Sequence, residues 1–218
     1  MSMKITALGH AGFIFDDGKR VVIDPFLTGN PVAKIKAADV KPVDVVLVTH
    51  GHPDHLGDAF AIVKNTGATL VSSYEVATTG EIAGEGMNFG GTMNIRGLPF
   101  TMVKAEHSVG VGDSAGFVWS QGGKVIYHMG DTSIFSDMKL HGEIYKPEVL
   151  LVPIGDRYTM NPRDAAMATA WINPKFVIPM HYKTFPFLVQ DANDFQNRVK
   201  ATCLSTVLVL EPGQSVDL

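Results

Sequence analysis

Four apolar, β-branched runs in this chain each close on a residue able to bind a metal ion. Asp44-Val-Val-Leu-Val-Thr49 leads into His50, Thr101-Met-Val-Lys-Ala-Glu into His107, Lys124-Val-Ile-Tyr-His-Met-Gly into Asp131, and Lys175-Phe-Val-Ile-Pro-Met into His181. Such runs read as buried strands. Strands of a layered α/β domain end along common edges, so residues far apart in sequence can converge there.

The first run is followed by the densest signal. Residues 49–58 read Thr-His-Gly-His-Pro-Asp-His-Leu-Gly-Asp, which puts His50, His52, Asp54 and His55 within six positions. A solvated turn with a helix-capping aspartate accounts for one or two of these residues, not for four. Imidazole and carboxylate suit Zn, Fe, Mn and similar divalent ions, and a cluster without cysteine leaves a site open to water. If the chain stays extended past the strand, His50 and His52 project to one side. Pro53 then breaks the strand and can open a helix begun by Asp54 and His55.

Elsewhere the pattern is mixed α/β. Residues 4–8, 12–15 and 20–23 read as strands around an Asp16-Asp17-Gly18-Lys19 turn. Further strands are expected at 44–48, 69–72, 100–106, 115–120, 124–129, 149–154, 176–180 and 206–210, alternating with helices near 54–65, 74–83, 134–144, 162–171 and 191–201. The Gly-rich polar stretch 84–97 reads as a loop and lacks the pattern of a phosphate cradle. With 218 residues, 45% of them hydrophobic, the chain suits one domain over 1–218.

A net charge of −4 supplies no basic field, so nucleic acid is not an expected partner. Cys203 is the only cysteine, and its apolar neighbours predict a buried thiol. The opening Met-Ser-Met-Lys-Ile-Thr runs directly into a strand, and no stretch approaches the ~20 apolar residues that span a bilayer. A soluble cytoplasmic protein is expected, with its oligomeric state left open.

The HxHxDH run at 50–55, the later His107, Asp131 after a strand and the final His181 together resemble the metallo-β-lactamase superfamily over most of the chain. A narrower resemblance lies in Gly9-His10-Ala11-Gly12-Phe13, Ile23-Asp24-Pro25-Phe26, Gly130-Asp131-Thr132 and Met180-His181-Tyr182-Lys183-Thr184-Phe185-Pro186. These segments are similar to the branch that contains ascorbate-6-phosphate lactonase and many other metal-dependent hydrolases. The resemblance implies an α/β fold, the four-layer αββα sandwich, where periodicity alone shows only mixed α/β. It also implies two divalent ions, with Zn expected and Mn, Ni or Fe as alternatives. By position, His50, His52 and His107 would hold one ion, Asp54, His55 and His181 the second, and Asp131 would bridge both.

Two such ions about 3.5–4 Å apart can share a hydroxide and bring the pKa of water down toward ~7. The expected activity is therefore metal-dependent hydrolysis of a small ester, lactone or phosphodiester by a bridged hydroxide, with Asp54, Asp131 and His10 as catalytic residues. His10 ends a strand, as a proton donor, a substrate contact or a structural histidine. Asp24 is expected to orient a ligand histidine through its second ring nitrogen, with turn chemistry as the alternative. Arg157, Tyr158 and Lys183 are candidates to receive a substrate phosphate or carboxylate, so a small anionic molecule is the expected partner. Alternation puts His128 on the face opposite Asp131, as a packing residue. His141 reads as part of a solvated helix face, and Asp164 as first-turn helix charge. Two rivals remain: an iron-dependent oxidoreductase on the same fold, and a silent metal-binding or sensing module. The complete ligand set and the lack of room for a flavin domain argue against the first, and the candidate acid His10 against the second.

Overall fold

The computed structural model describes residues 2–80 and 82–218. Lys4–Gly9 (β1), Gly12–Asp16 (β2) and Arg20–Ile23 (β3) pair antiparallel, and Val45–Leu47 (β4), Thr69–Ser73 (β5) and Glu85–Met87 (β6) continue that sheet in parallel. A second sheet repeats the plan. Thr92–Ile95 (β7), Leu98–Lys104 (β8), Ala115–Gln121 (β9) and Lys124–His128 (β10) pair antiparallel, followed in parallel by Val149–Pro153 (β11), Phe176–Met180 (β12) and Thr206–Val207 (β13). Ser215–Asp217 (β14) returns to the first sheet beside β1. The two seven-stranded sheets thus have the orders β14-β1-β2-β3-β4-β5-β6 and β13-β12-β11-β10-β9-β8-β7.

Helices Pro53–Leu56 (α1), Ala59–Thr66 (α2) and Tyr74–Thr78 (α3) belong to the first half of the chain, and Met138–Tyr145 (α4), Pro162–Ile172 (α5) and Asn193–Thr202 (α6) to the second. Three apolar layers separate four layers of structure. The inner one joins the two sheets through Phe15, Val45, Phe100, Trp119, Leu151 and Ile178, with the Phe15 and Trp119 rings edge to face at 4.8 Å. Ala59, Ile62 and Val63 of α2 cover the outer face of the first sheet, and Ala165, Ile172, Phe195 and Val199 of α5 and α6 cover that of the second. This is the αββα sandwich that the resemblance implies. Truncating fully buried Trp119 to alanine would cost about 3–5 kcal/mol, a large part of the ~5–15 kcal/mol that holds a domain together.

Several expectations need correction. The helix expected over 54–65 is two helices, because Gly57 breaks it with φ 42°. A Cβ at Gly57 would come within 2.6 Å of the Pro25 carbonyl oxygen, so the close approach of this turn to the segment after β3 requires glycine. The stretch 84–97 is not all loop: it holds β6 and β7, short strands at sheet edges whose polar composition hides them. The strand expected over 206–210 shrinks to β13, and β14 lies beyond it. Cys203 is half-buried rather than buried. His141 is not on a fully solvated face: it sits half-buried with Nδ1 3.0 Å from the Tyr127 hydroxyl and packs on Phe135 and Tyr145. His128 is fully buried and bonds the Ala11 carbonyl through Nε2 at 2.9 Å. Among the described residues no helix is long and apolar enough to cross a membrane.

Candidate metal centre

The ligand candidates meet along one edge of the sandwich. β4 delivers buried His50, and Pro53, at the first position of α1, sets His52 as its cap and Asp54 and His55 in its single turn. His107 follows β8, Asp131 follows β10, and His181 follows β12 directly. Three connecting residues have left-handed backbones: His10 (φ 58°), Asp24 (φ 45°) and His181 (φ 57°). Each such residue costs roughly 1 kcal/mol, and such strain gathers where side chains must be aimed. The His181 amide donates to the His10 carbonyl at 2.9 Å, which ties the two sheets together at this edge. Gly155 is needed beside it, since a Cβ there would lie 2.0 Å from the His181 carbonyl oxygen.

Two groups of donors result, linked by a third, overlapping one made of His50, His55 and Asp131. His50 Nε2 lies 3.0 Å from His52 Nδ1, which lies 3.3 Å from His107 Nε2. The second group is His10, Asp54, His55 and His181, and in each group the donor atoms fall within 4.8 Å of one another. Asp131 reaches both. Its Oδ2 is 3.7 Å from His107 Nε2 and 3.0 Å from His181 Nε2, while Oδ1 is 3.3 Å from His55 Nε2.

The donor atoms fit divalent ions on two observations. His55 Nε2, Asp131 Oδ1 and both His181 nitrogens are buried without a hydrogen-bond partner, because the short approaches among them miss hydrogen-bond geometry. Buried polar atoms are rarely left so, and a shared ion is a standard reason. Adjacent imidazole nitrogens at 3.0 Å, as in His50 and His52, also suit a cation between lone pairs better than opposed N–H groups.

Behind the ligands a buried hydroxyl organises the ring nitrogens. Thr49 Oγ1 donates to Asp24 Oδ2 at 2.7 Å, and the Thr49 amide donates to Asp24 Oδ1 at 2.8 Å. With its proton committed, the Thr49 oxygen accepts from His50 Nδ1 at 3.0 Å. Asp24 Oδ2 accepts from His55 Nδ1 at 2.7 Å. Both imidazoles are thereby left with Nε2 free to bind metal. On the other side Thr184 Oγ1 lies 2.9 Å from His10 Nδ1, and His10 Nε2 lies 3.0 Å from Asp54 Oδ2. Neither threonine was singled out from sequence. Thr49 carried a signal, as the one hydroxyl closing an apolar run ahead of a ligand; Thr184, in a turn, carried none.

Burial, with His55 beside it, drives the His50 imidazolium down to about 2, and burial together with His181 lowers His10 to about 4. Burial also lowers His107. These rings are neutral at pH 7, as metal ligation requires. Burial opposes the charge on Asp131, yet His181 and His55 hold its carboxyl well below the usual range. Burial likewise opposes protonation of His55, but Asp131 and Asp24 raise it well above the ordinary histidine value. The field between these two carboxylates favours a positive charge.

The expected substrate residues separate. Lys183 Nζ pairs with both Glu211 oxygens at 2.9 Å and lines a cavity of about 230 Å3 to which, of the clustered residues, only His10 contributes. Lys183 thus carries a charge already paired with an exposed carboxylate, on a left-handed backbone of φ 64°. Arg157 and Tyr158 are exposed on a loop whose Met160 amide donates to Thr132, the residue after Asp131, at 3.1 Å. Asp164 lies in the first turn of α5, where its amide donates to the Asn161 side chain at 3.0 Å.

Residues 4–181 match the family described as "Beta-lactamase superfamily domain". The chain is 49% identical over 230 residues to a UPF0173 metal-dependent hydrolase of Methanopyrus kandleri, covering 99% of this chain and 100% of that one. A UPF0173 metal-dependent hydrolase of Methanosarcina barkeri is 43% identical with full coverage of both chains. Among solved structures, Igni18, a metallo hydrolase from the hyperthermophilic archaeon Ignicoccus hospitalis, superposes with a TM-score of 0.93 at 38% identity, over 100% of this chain and 99% of that one. The chain belongs to the metallo-β-lactamase superfamily and, within it, to the UPF0173 metal-dependent hydrolases.

Proposed function

We propose that this protein is a dinuclear metal-dependent hydrolase acting on a small, anionic ester, lactone or phosphodiester. The observation that carries the reading is the Asp131 carboxylate, within 4 Å of histidines in both donor groups. His50, His52 and His107 would hold one ion, and Asp54, His55 and His181 the other, with Asp131 spanning the two. When bound, the ions supply Lewis acidity toward a carbonyl or phosphoryl oxygen and acidify water toward neutrality.

The chain's own residues do the rest. Asp24 and Thr49 keep the Nδ1 protons of His55 and His50 in place, so that Nε2 of each stays basic. His10, neutral and bonded to Asp54 Oδ2, can hold that carboxylate in place and offer its ring as a hydrogen-bonding contact for the substrate. Arg157 supplies the cation at the rim. Zn is the expected metal, since imidazole and carboxylate donors suit it.

The test is a panel of a carboxylate ester, a lactone and a phosphodiester assayed after loading with Zn, Mn, Ni or Fe. Hydrolysis of at least one class, abolished by Asp131→Asn, is expected. Oxygen consumption by the iron-loaded protein with no hydrolysis under any metal would replace this reading with the oxidoreductase one.

A further inference from the structure

A strip of aromatic rings runs from the metal centre to the surface, and hydrolysis as described above makes no use of it. Phe26 and Phe185 stand edge-on to the His10 ring with centroids 5.9 and 5.8 Å away. Phe185 stacks on Phe187 at 5.5 Å with the planes 12° apart, and Phe187 meets Tyr158 edge-on at 5.9 Å. The Arg157 guanidinium lies over both outer rings, 5.1 Å from Phe187 and 5.5 Å from Tyr158.

The strip is buried at one end and open at the other: His10 is 5% exposed, whereas Tyr158 is 53% and Phe187 49% exposed. Isolated exposed aromatics are ordinary on protein surfaces. Contiguous ones that adjoin a cluster of convergent polar groups are candidates to contact a ligand. Two further features point to a small ligand. Arg157 forms none of the ion pairs found among the described residues, so its charge is available while its position over the rings is set. The loop that presents it is pinned by Met160 to Thr132 and by the Val189 amide to the Gly155 carbonyl, each at 3.1 Å. The rings therefore keep a set position relative to Asp131.

We propose that Phe185, Phe187, Tyr158 and Arg157 form a shelf that selects substrates bearing an aromatic group, with the reacting ester or phosphoryl function at the metal edge and the ring against the shelf. This rests on the hydrolytic reading above and adds the substrate class to it. Ring edges of Phe187 and Tyr158 would meet the substrate ring, and the guanidinium would favour an electron-rich or anionic arene.

The test uses two anions that cannot be hydrolysed, phenylphosphonate and methylphosphonate, titrated calorimetrically into the zinc-loaded protein. Binding is read without turnover. Phenylphosphonate should bind about tenfold more tightly, in line with a favourable ring–ring contact added to apolar burial. Phe187→Ala should cut that preference to about twofold or less while leaving methylphosphonate affinity unchanged, and Phe187→Tyr should restore it. Equal affinities for the two anions in the unaltered protein, or a preference that survives Phe187→Ala, would overturn the shelf and leave the metal centre standing. Binding of neither anion would overturn the shelf, whereas the hydrolytic reading stands or falls separately on turnover of the ester, lactone and phosphodiester panel. Sedimentation serves as the remaining control: a dimer that dissociates on Phe187→Ala, with no change in selectivity, would assign the strip to self-association and overturn the proposal.

Discussion

Asp24→Asn isolates the contribution of the residues behind the ligands. The carboxylate is fully buried and accepts from the Thr49 amide at 2.8 Å, the Thr49 hydroxyl at 2.7 Å and His55 Nδ1 at 2.7 Å. Asparagine keeps one acceptor, which the Thr49 amide can use. Its amide nitrogen then faces two donors, the Thr49 hydroxyl and His55 Nδ1–H. To relieve that clash His55 must move its proton to Nε2, the atom it would give to the metal. Loss of such a partner typically weakens metal affinity by about 10–100-fold, which is roughly 1.4–2.7 kcal/mol. Losing charge-assisted hydrogen bonds should also destabilise the metal-free fold by about 1.5–3 kcal/mol. Competition between protein and a zinc chelator measures the first quantity, and urea unfolding of the metal-free protein the second. Affinity unchanged within twofold would show that Asp24 serves the turn after β3 and not the metal.

The remaining predictions concern charge and position. Asp131→Asn should lower metal stoichiometry and abolish turnover, whereas His128→Asn should spare both and mainly lower thermal stability, since His128 bonds backbone at Ala11 and Gly130; the reverse pattern in metal analysis would refute the ligand set. Lys183→Ala should change kcat/KM for an anionic substrate by less than about twofold, because its charge is already met by Glu211 in an exposed pair worth at most ~1 kcal/mol; a rise in KM of tenfold or more would return Lys183 to the site. In the metal-free protein His10 has its folded pKa lowered from 6.5 to about 4 by burial and His181, so the unfolded chain takes the proton first. The stability it contributes is complete above pH 6.5 and is lost as pH falls toward 4, by about 3 kcal/mol at that point. His10→Asn should therefore flatten the acid side of the melting-temperature profile, and parallel profiles for the two proteins would contradict this.

How much was legible in the sequence follows from where each residue sits. His50, His107, Asp131 and His181 close apolar runs, and the edge formed by parallel strands brings such ends together, so their proximity could be anticipated. Residues that act through conformation could not. Lys183 is two positions from His181, yet its ammonium pairs with Glu211, and both residues have left-handed backbones. Thr49 and Thr184 hold ring nitrogens with single hydroxyls, which leave no periodic trace. The edge strands β6, β7 and β14 are short and largely polar, because an edge needs little apolar surface and long apolar edges invite aggregation. The half-burial of His141 is not legible from its own helix, because its partner, Tyr127, lies on another element.

Seven side chains are proposed to form one site for two ions. Native mass spectrometry of the folded protein, after zinc in excess and removal of loosely held metal, tests it most directly. Two zinc ions per chain are expected, falling to one or none with Asp131→Asn. A protein that holds no zinc, or holds a single ion that Asp131→Asn leaves in place, would contradict the claim.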